Sequence, residues 1–310
     1  MDRPRTRAVR FERFGGIEEL QVDDVEVPSP DEGEVIVEVR AAGTNPGEAA
    51  IRQGLFDAGN TEALPSGQGS DLAGVVVEVG AGVSTPAVGD EVLGWSFRRS
   101  SQAGRVVVPA DQLVAKPAAL GWEVAGSLYV VGATAYAAVR AVGAGPGDTV
   151  AVSAAAGGVG SVTVQLLRVR GAEVIGIASA SNHGWLREHG VTPVSYGDGL
   201  ADRLRAAAPD GIDAFIDLFG PEYLHLAVDL GIPRDRIETI ISFSDAQELG
   251  TKAEGSQDAT SREVLAEMAG LVDDGRIELP VAATYPLERV REAYAELERR
   301  HTRGKIVLIP

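Results

Sequence analysis

Short runs between Arg7 and Ala110, namely RAVRF, LQVDDVEV, EVIVEVRAA, GVVVEVG, DEVLGW and GRVVVPA, set apolar residues against polar ones at strand length. The second and third alternate, and turn-forming clusters such as Pro28-Ser29-Pro30-Asp31-Glu32-Gly33 and Pro86-Ala87-Val88-Gly89-Asp90 separate the runs. Period-two patterning bounded by Gly, Pro and Asp predicts strands. Their succession predicts an antiparallel, barrel-like β-domain from Arg7 to about Ala115.

Near residue 121 the pattern changes. WEVAGSLYVVGATAYAAVRAV, Trp122 to Val142, has helical length and an alanine-rich face, and a Gly145-Pro146-Gly147-Asp148 turn feeds the buried-type strand TVAVSA. A helix through Leu167 follows, then a strand from Glu173 to Ile177, a helix near Trp185, and strands at 191–196, 212–217 and 237–243. Strands alternating with helices predict a parallel, doubly wound sheet, which makes the chain α/β. TSREVLAEMAGLVDDG reads as a further helix, with Ser261 or Thr260 as its N-cap and Gly275 closing it. The tail adds a helix, LERVREAYAELERR, and a last strand, GKIVLIP, that return to the β-domain.

The loop after TVAVSA carries the first chemical signal. In a dinucleotide-binding βαβ unit one glycine makes the tight turn, a second lets the backbone approach the pyrophosphate, and a third permits close helix–strand packing. Here those positions are Ala155, Gly157 and Gly160, within Ala155-Ala156-Gly157-Gly158-Val159-Gly160. The following helix offers its N-terminal N–H groups to the phosphates. The second strand ends Ile177-Ala178-Ser179-Ala180-Ser181-Asn182-His183, with no carboxylate to hold a ribose 2′-OH or to repel a 2′-phosphate. That favours NADPH, with Ser179 at the phosphate, although no lysine or arginine occurs before Arg187. The alternative is a glycine-rich turn that serves packing only, with Ser179 and Ser181 as solvated loop residues.

Composition narrows the chemistry. The chain has 310 residues, room for two domains, and a formal charge of −17 that repels nucleic-acid phosphates and anionic lipid. With no membrane-length apolar stretch and no signal-type N-terminus, the expected location is the cytoplasm. There is no cysteine, which removes thiolate nucleophiles, disulfides and Cys-ligated zinc.

Several segments in order resemble the zinc-independent quinone oxidoreductase group of the medium-chain dehydrogenases/reductases. They are AAGTNPGEAAIRQG, GSDLAGVVVEVGAGVSTPAVGDEV, VVGATAYAAV, AAAGGVG and HTRGKIVL. The resemblance implies a GroES-like β-barrel domain over residues 1–120, a Rossmann NADP-binding domain over 121–258, and a return to the barrel domain over 259–310. Zinc-dependent relatives place a cysteine where this chain has Asn45 and a His-Glu pair where it has Ser70-Asp71. The only histidines are His183, His189, His225 and His301, so no catalytic zinc is expected.

The resemblance also assigns roles. Asn45, stiffened by Pro46, donates to the acceptor oxygen, and Glu48 holds the loop or contacts substrate; Asn-Pro is equally ordinary turn chemistry. Thr134 lies beside the nicotinamide, Tyr196 near the adenosine phosphate, Phe243 near the carboxamide, and Lys305 approaches the cofactor or sits as a strand-edge charge. Loops 54–67 and 95–104 shape the substrate pocket. The expected activity is NADPH-dependent, metal-free hydride transfer to a quinone or an α,β-unsaturated carbonyl. The competing reading is an NADPH-binding redox sensor or interaction module with little catalysis. A homodimer is expected through the strand near Arg236–Ser242, whose alternation suits a sheet edge.

Overall fold

A computed structural model describes residues 3–55 and 64–310. The chain divides into two compact units: Met1–Val130 with Ser261–Asp273 and Val281–Pro310, and Val131–Thr260 with Asp274–Pro280. The expected boundary at residue 120 falls ten residues short, because the segment carrying Val130 is bonded to the first unit through Asp71.

The first unit begins with β1 (Arg5–Phe11), β2 (Gln21–Glu26), β3 (Glu34–Gly43), helix α1 (Pro46–Arg52), β4 (Ser66–Gly67), β5 (Asp71–Val79), β6 (Glu91–Trp95), β7 (Arg105–Pro109) and β8 (Leu113–Ala115). The expected strands are all present, and α1 is an addition within a segment given no helix by pattern. A short helix α2 (Trp122–Ala125) precedes α3 (Leu128–Val142). The sequence predicts one helix over that span. It breaks at Gly126, whose carbonyl accepts the Gly43 N–H at 2.6 Å and whose Cβ, were there one, would lie 2.4 Å from the Ala41 oxygen.

The second unit holds β9 (Thr149–Val152), α4 (Gly158–Val169), β10 (Glu173–Ala178), α5 (His183–Glu188), β11 (Thr192–Ser195), α6 (Leu200–Ala207), β12 (Ala214–Asp217), α7 (Pro221–Asp229), β13 (Ile237–Thr239) and α8 (Phe243–Leu249). Then α9 (Arg262–Asp273), β14 (Val281–Pro286), α10 (Val290–Leu297) and β15 (Lys305–Ile309) complete the first unit. Ser261 caps α9 by accepting the Val264 N–H at 3.1 Å.

In the first unit the sheet runs β14-β15-β3-β5-β6-β8, with β7 also on β3. β15 pairs antiparallel with the end of β3 at Val307/Gly43 and Leu308/Ala42, so the C-terminal return is part of the barrel sheet. Its core includes Val35, Val37, Leu72, Val76, Val92 and Val108. A second cluster, including Val9, Ala49, Val290, Tyr294, Ile306 and Leu308, packs α1 and α10 against the return.

The second unit is an all-parallel sheet of order β11-β10-β9-β12-β13. The three inner strands β9, β10 and β12 are mostly apolar and buried, as in parallel sheets of α/β folds. The order reverses between β9 and β12, the switch point where doubly wound sheets hold ligands. β13 does not present the expected free edge. It is only three residues long, fully buried, and its outer side is taken by Lys252, which donates to Ile237 O at 2.9 Å and accepts from Thr239 N at 3.1 Å.

Candidate active site

At the switch point the chain leaves β9 through Ser153–Gly157 and enters α4. Ala154 adopts φ +47°, left-handed backbone unusual for a residue with a Cβ. The tight turn is thus one residue before Ala155, the position expected to replace a glycine; Ala155 instead donates to Ile177 O at 3.1 Å and ties the loop to β10. A Cβ on Gly160 would lie 2.1 Å from the Ala154 carbonyl oxygen, so only glycine allows the helix to close on the turn. A Cβ on Gly157 would meet only that same oxygen, at 3.3 Å. Ala156 is buried, and Gly158, Val159 and Gly160 form the first turn of a helix of 12 residues, with N–H groups that lack intrahelical partners by geometry. A cradle of this kind fits a dinucleotide pyrophosphate.

Asp217, which pattern reading did not single out, organises the same end of the sheet. Its carboxylate accepts Ser153 Oγ at 2.8 Å, Thr239 Oγ1 at 2.8 Å, and the N–H groups of Phe219 and Gly220 at 2.9 and 3.1 Å. Burial pushes its pKa up while these bonds pull it back, and the net direction is upward. The ends of β9, β12 and β13 are thereby fixed around one carboxyl group.

After β10, Ser179 Oγ lies 2.9 Å from Ser181 Oγ and accepts Asn182 Nδ2 at 3.0 Å. Tyr196, following β11, is exposed, and Thr134 is buried in α3. Phe243 was expected to end a strand; β13 stops at Thr239, and Phe243 opens α8 with its ring exposed.

The barrel unit gathers a different set of groups. Asn45 is the N-cap of α1 and Pro46 its first helical residue, while the Glu48 side chain reaches back to the Asn45 N–H at 3.1 Å. Asn45 Nδ2 donates to Glu48 Oε1 and to Asp71 Oδ2, both at 3.0 Å. Its Oδ1 accepts Lys305 Nζ at 2.5 Å. Lys305 also donates to Thr44 O at 2.9 Å and to Asp71 Oδ2 at 3.1 Å, and Val130 N–H donates to Asp71 Oδ1 at 2.7 Å. An ammonium has three donors, and Lys305 has an acceptor for each within the barrel unit. For it to donate to a cofactor, one of these three bonds would have to be released.

Glu48 is held from the other side by Tyr294 of α10, whose hydroxyl donates to Oε2 at 2.6 Å, by the Ser70 N–H at 2.8 Å, and by Gln102 Nε2 at 3.3 Å. Gln102 also donates to the Tyr294 oxygen at 2.9 Å. Burial pushes the Glu48 carboxyl up; Asp71 adds to that push, while the bonds from Tyr294 and Asn45 and the charge of Lys305 oppose it. Tyr294 is likewise raised well above its ordinary value, first by burial and then by Glu48. Sequence reading found Asn45, Glu48 and Lys305 but missed Asp71, Gln102 and Tyr294 as partners, because their meeting depends on the strand register and the return of the chain.

Comparison with known proteins places this arrangement. Residues 31–115 match the model of the alcohol dehydrogenase GroES-like domain, and residues 189–308 match that of zinc-binding dehydrogenase. The synaptic vesicle membrane protein VAT-1 homolog of Rattus norvegicus is 31% identical over 99% of this chain and 85% of its own length. The chain belongs to the medium-chain dehydrogenase/reductase family, in the quinone oxidoreductase group. The quinone oxidoreductase of Mus musculus is 29% identical over 98% of this chain and 97% of its own. The solved quinone oxidoreductase of Coxiella burnetii superposes with a TM-score of 0.90 at 28% identity, covering 99% of this chain and 100% of that one. The Escherichia coli quinone oxidoreductase complexed with NADPH superposes at 0.86 and 28% identity, covering 98% and 100%. As a member of this family the chain is an oxidoreductase built on a nicotinamide-binding fold. Although one matching family model is described as zinc-binding, the sequence contains no cysteine, and among the described residues no His/Cys/Asp/Glu group is arranged to hold a metal ion.

Proposed function

We propose that the protein reduces a quinone or an α,β-unsaturated carbonyl with NADPH, without metal. The observation that carries the cofactor part is the cradle of Ala155–Gly160 joined to a second strand followed by Ser179, Ser181 and Asn182, with no carboxylate among them. Bound nicotinamide supplies the hydride. The protein's own task is to align the acceptor and to stabilise the oxyanion that develops on it, the proton coming from solvent.

In this reading Asn45 donates to the acceptor oxygen. Both its amide hydrogens are engaged, so donation requires Glu48 or Asp71 to release one. Thr134, Tyr196 and Phe243 belong to the cofactor side of the proposal. Of the loops expected to shape the pocket, residues 56–63 lie outside the described residues. Among the described residues no helix is long and apolar enough to cross a membrane, and the reading places the protein in the cytoplasm as a homodimer. Lys252 bridges to the outer edge of β13, so pairing of two copies through the strand near residues 236–242 would have to displace it.

The saturated state of Asn45 is also the observation that favours the second reading, a nicotinamide-binding sensor with little turnover. Loss of reduced-nicotinamide absorbance on mixing purified protein with NADPH and a simple 1,4-quinone, then an enone panel, separates the two. The reductase reading expects consumption above the nonenzymatic rate, faster with NADPH than NADH, and strongly reduced in Asn45→Ala. NADPH binding without turnover on any acceptor supports the sensor.

A further inference from the structure

The reading that this chain takes NADPH leaves the 2′-phosphate without a lysine or arginine on the loop that follows β10. From Ala178 to Leu186 the sequence has no lysine or arginine, and its one cationisable side chain is His183. Ala178, the last residue of β10, is the register partner of Ser195, the last residue of β11. His183 Nε2 lies 3.5 Å from Ser195 Oγ, which sets the imidazole over the paired ends of these two strands. The hydrogen-bonded cluster of Ser179, Ser181 and Asn182 follows Ala178 directly in the chain and precedes His183. In this fold the end of the second strand is where the 2′ position of the adenosine ribose is read.

Arg203 of α6 turns three of its five N–H groups to backbone. Its guanidinium donates to the carbonyls of Ser195 at 3.0 Å, Asp198 at 2.6 Å and Gly197 at 2.9 Å, and so caps the turn after β11. The other ionisable groups of the elements around His183 are Arg187 and Glu188 in its own helix, and Tyr196 and Asp198 in the turn between β11 and α6. The cluster therefore offers hydroxyl and amide donors of fixed charge zero and one group whose charge varies.

We propose that His183 supplies the positive charge to the 2′-phosphate, and that the preference for NADP(H) over NAD(H) therefore weakens as pH rises. Histidine changes charge between about pH 5 and 8, and a phosphate monoester holds its second proton only below about pH 6. Above about pH 6 the ligand is mostly dianionic, so its own titration contributes little between about pH 6.5 and 8.5. The inference rests on the cofactor reading above, and its test keeps the two apart.

The experiment is calorimetric titration of the full chain with NADP+ and, separately, NAD+ at both ends of that range. NADP+ should bind about three- to tenfold more weakly at the higher pH, the span of a partly exposed charged hydrogen bond, while NAD+ affinity stays level. His183→Gln should bind NADP+ at both pH values as weakly as the parent does at high pH, with NAD+ unaffected. His183→Lys should bind it tightly at both. Equal slopes for the two nucleotides, or a slope that survives in His183→Gln, would overturn the role of His183 while leaving the cofactor reading intact. Failure of the folded parent to bind either nucleotide would overturn both.

Discussion

The Tyr294 hydroxyl donates to Glu48 Oε2 at 2.6 Å across 246 residues of sequence. This bond joins α10 of the C-terminal return to α1 of the N-terminal part, and both residues are buried. The Tyr294 ring is itself held by Arg52, whose guanidinium lies 5.2 Å from its centroid and pairs with Glu298 at 2.8 Å. Tyr294→Phe keeps the ring and its stacking and removes one donor from a buried carboxyl. The expected cost is about 1–3 kcal/mol, the price of leaving a buried acceptor short of a partner, read as a lower urea midpoint with unchanged slope. An unchanged midpoint would show that Gln102 and Ser70 suffice to hold Glu48.

A second buried carboxyl makes stability depend on pH. Glu238 of β13 accepts the Glu254 N–H through Oε1 at 2.5 Å, while Oε2 is buried without a hydrogen-bond partner. Burial pushes its pKa up to about 8, against about 4.3 in an unfolded chain. Between those values the folded protein holds a proton that the unfolded chain has lost. Stability from this group is therefore fully present below the unfolded value, falls as pH rises through the window, and levels off above about 8. The loss is on the order of a few kcal/mol. Glu238→Gln mimics the neutral acid and should flatten much of that fall in urea unfolding series between about pH 5 and 8. A variant with the parent's slope would assign the dependence to Glu48 and Asp217, whose shifts act in the same direction.

The barrel strands and the βαβ order were legible because they depend on local patterning: alternation in β3, continuous apolar runs in β9 and β12, glycines at the turn. What was not legible depended on close approach or on distant register. The break at Gly126 arises from backbone pressing on β3, and nothing in an alanine-rich helix signals it. The strand expected to reach Phe243 ends at Thr239 because Thr239 Oγ1 turns to Asp217 and accepts the Ser242 N–H at 3.1 Å, starting a helix. Lys305 reads as a strand-edge charge in one dimension; only the pairing of β15 with β3 reveals that it neutralises Asp71.

The two glycines of the cofactor loop separate folding from binding. Gly157→Ala places a Cβ with only the Ala154 oxygen near it, at 3.3 Å, so stability should move by no more than about 0.5 kcal/mol. Nucleotide binding should nevertheless weaken markedly, since the methyl group stands where backbone approaches pyrophosphate. Gly160→Ala puts a Cβ 2.1 Å from backbone that cannot yield without moving the turn, and should lose about 1–3 kcal/mol of stability. Thermal melts and NADP+ titrations of both variants give four values. Intact NADP+ affinity in a folded Gly157→Ala protein would mean that the loop serves packing alone.

Lys305 and Asp71 form an ion pair at 3.1 Å with both side chains buried. Removing one partner of such a pair strands the other charge, and Lys305→Met should cost about 3–5 kcal/mol. Asp71→Asn should also destabilise, because it leaves the ammonium with only neutral acceptors, Asn45 Oδ1 and Thr44 O. The double variant contains no stranded charge and should lose less than the sum of the singles, with a coupling of about 1–3 kcal/mol in urea unfolding. Additivity to within about 0.5 kcal/mol would mean that the two charges act independently, and that Asn45 is oriented by its bonds to Glu48 rather than by the ion pair beneath it.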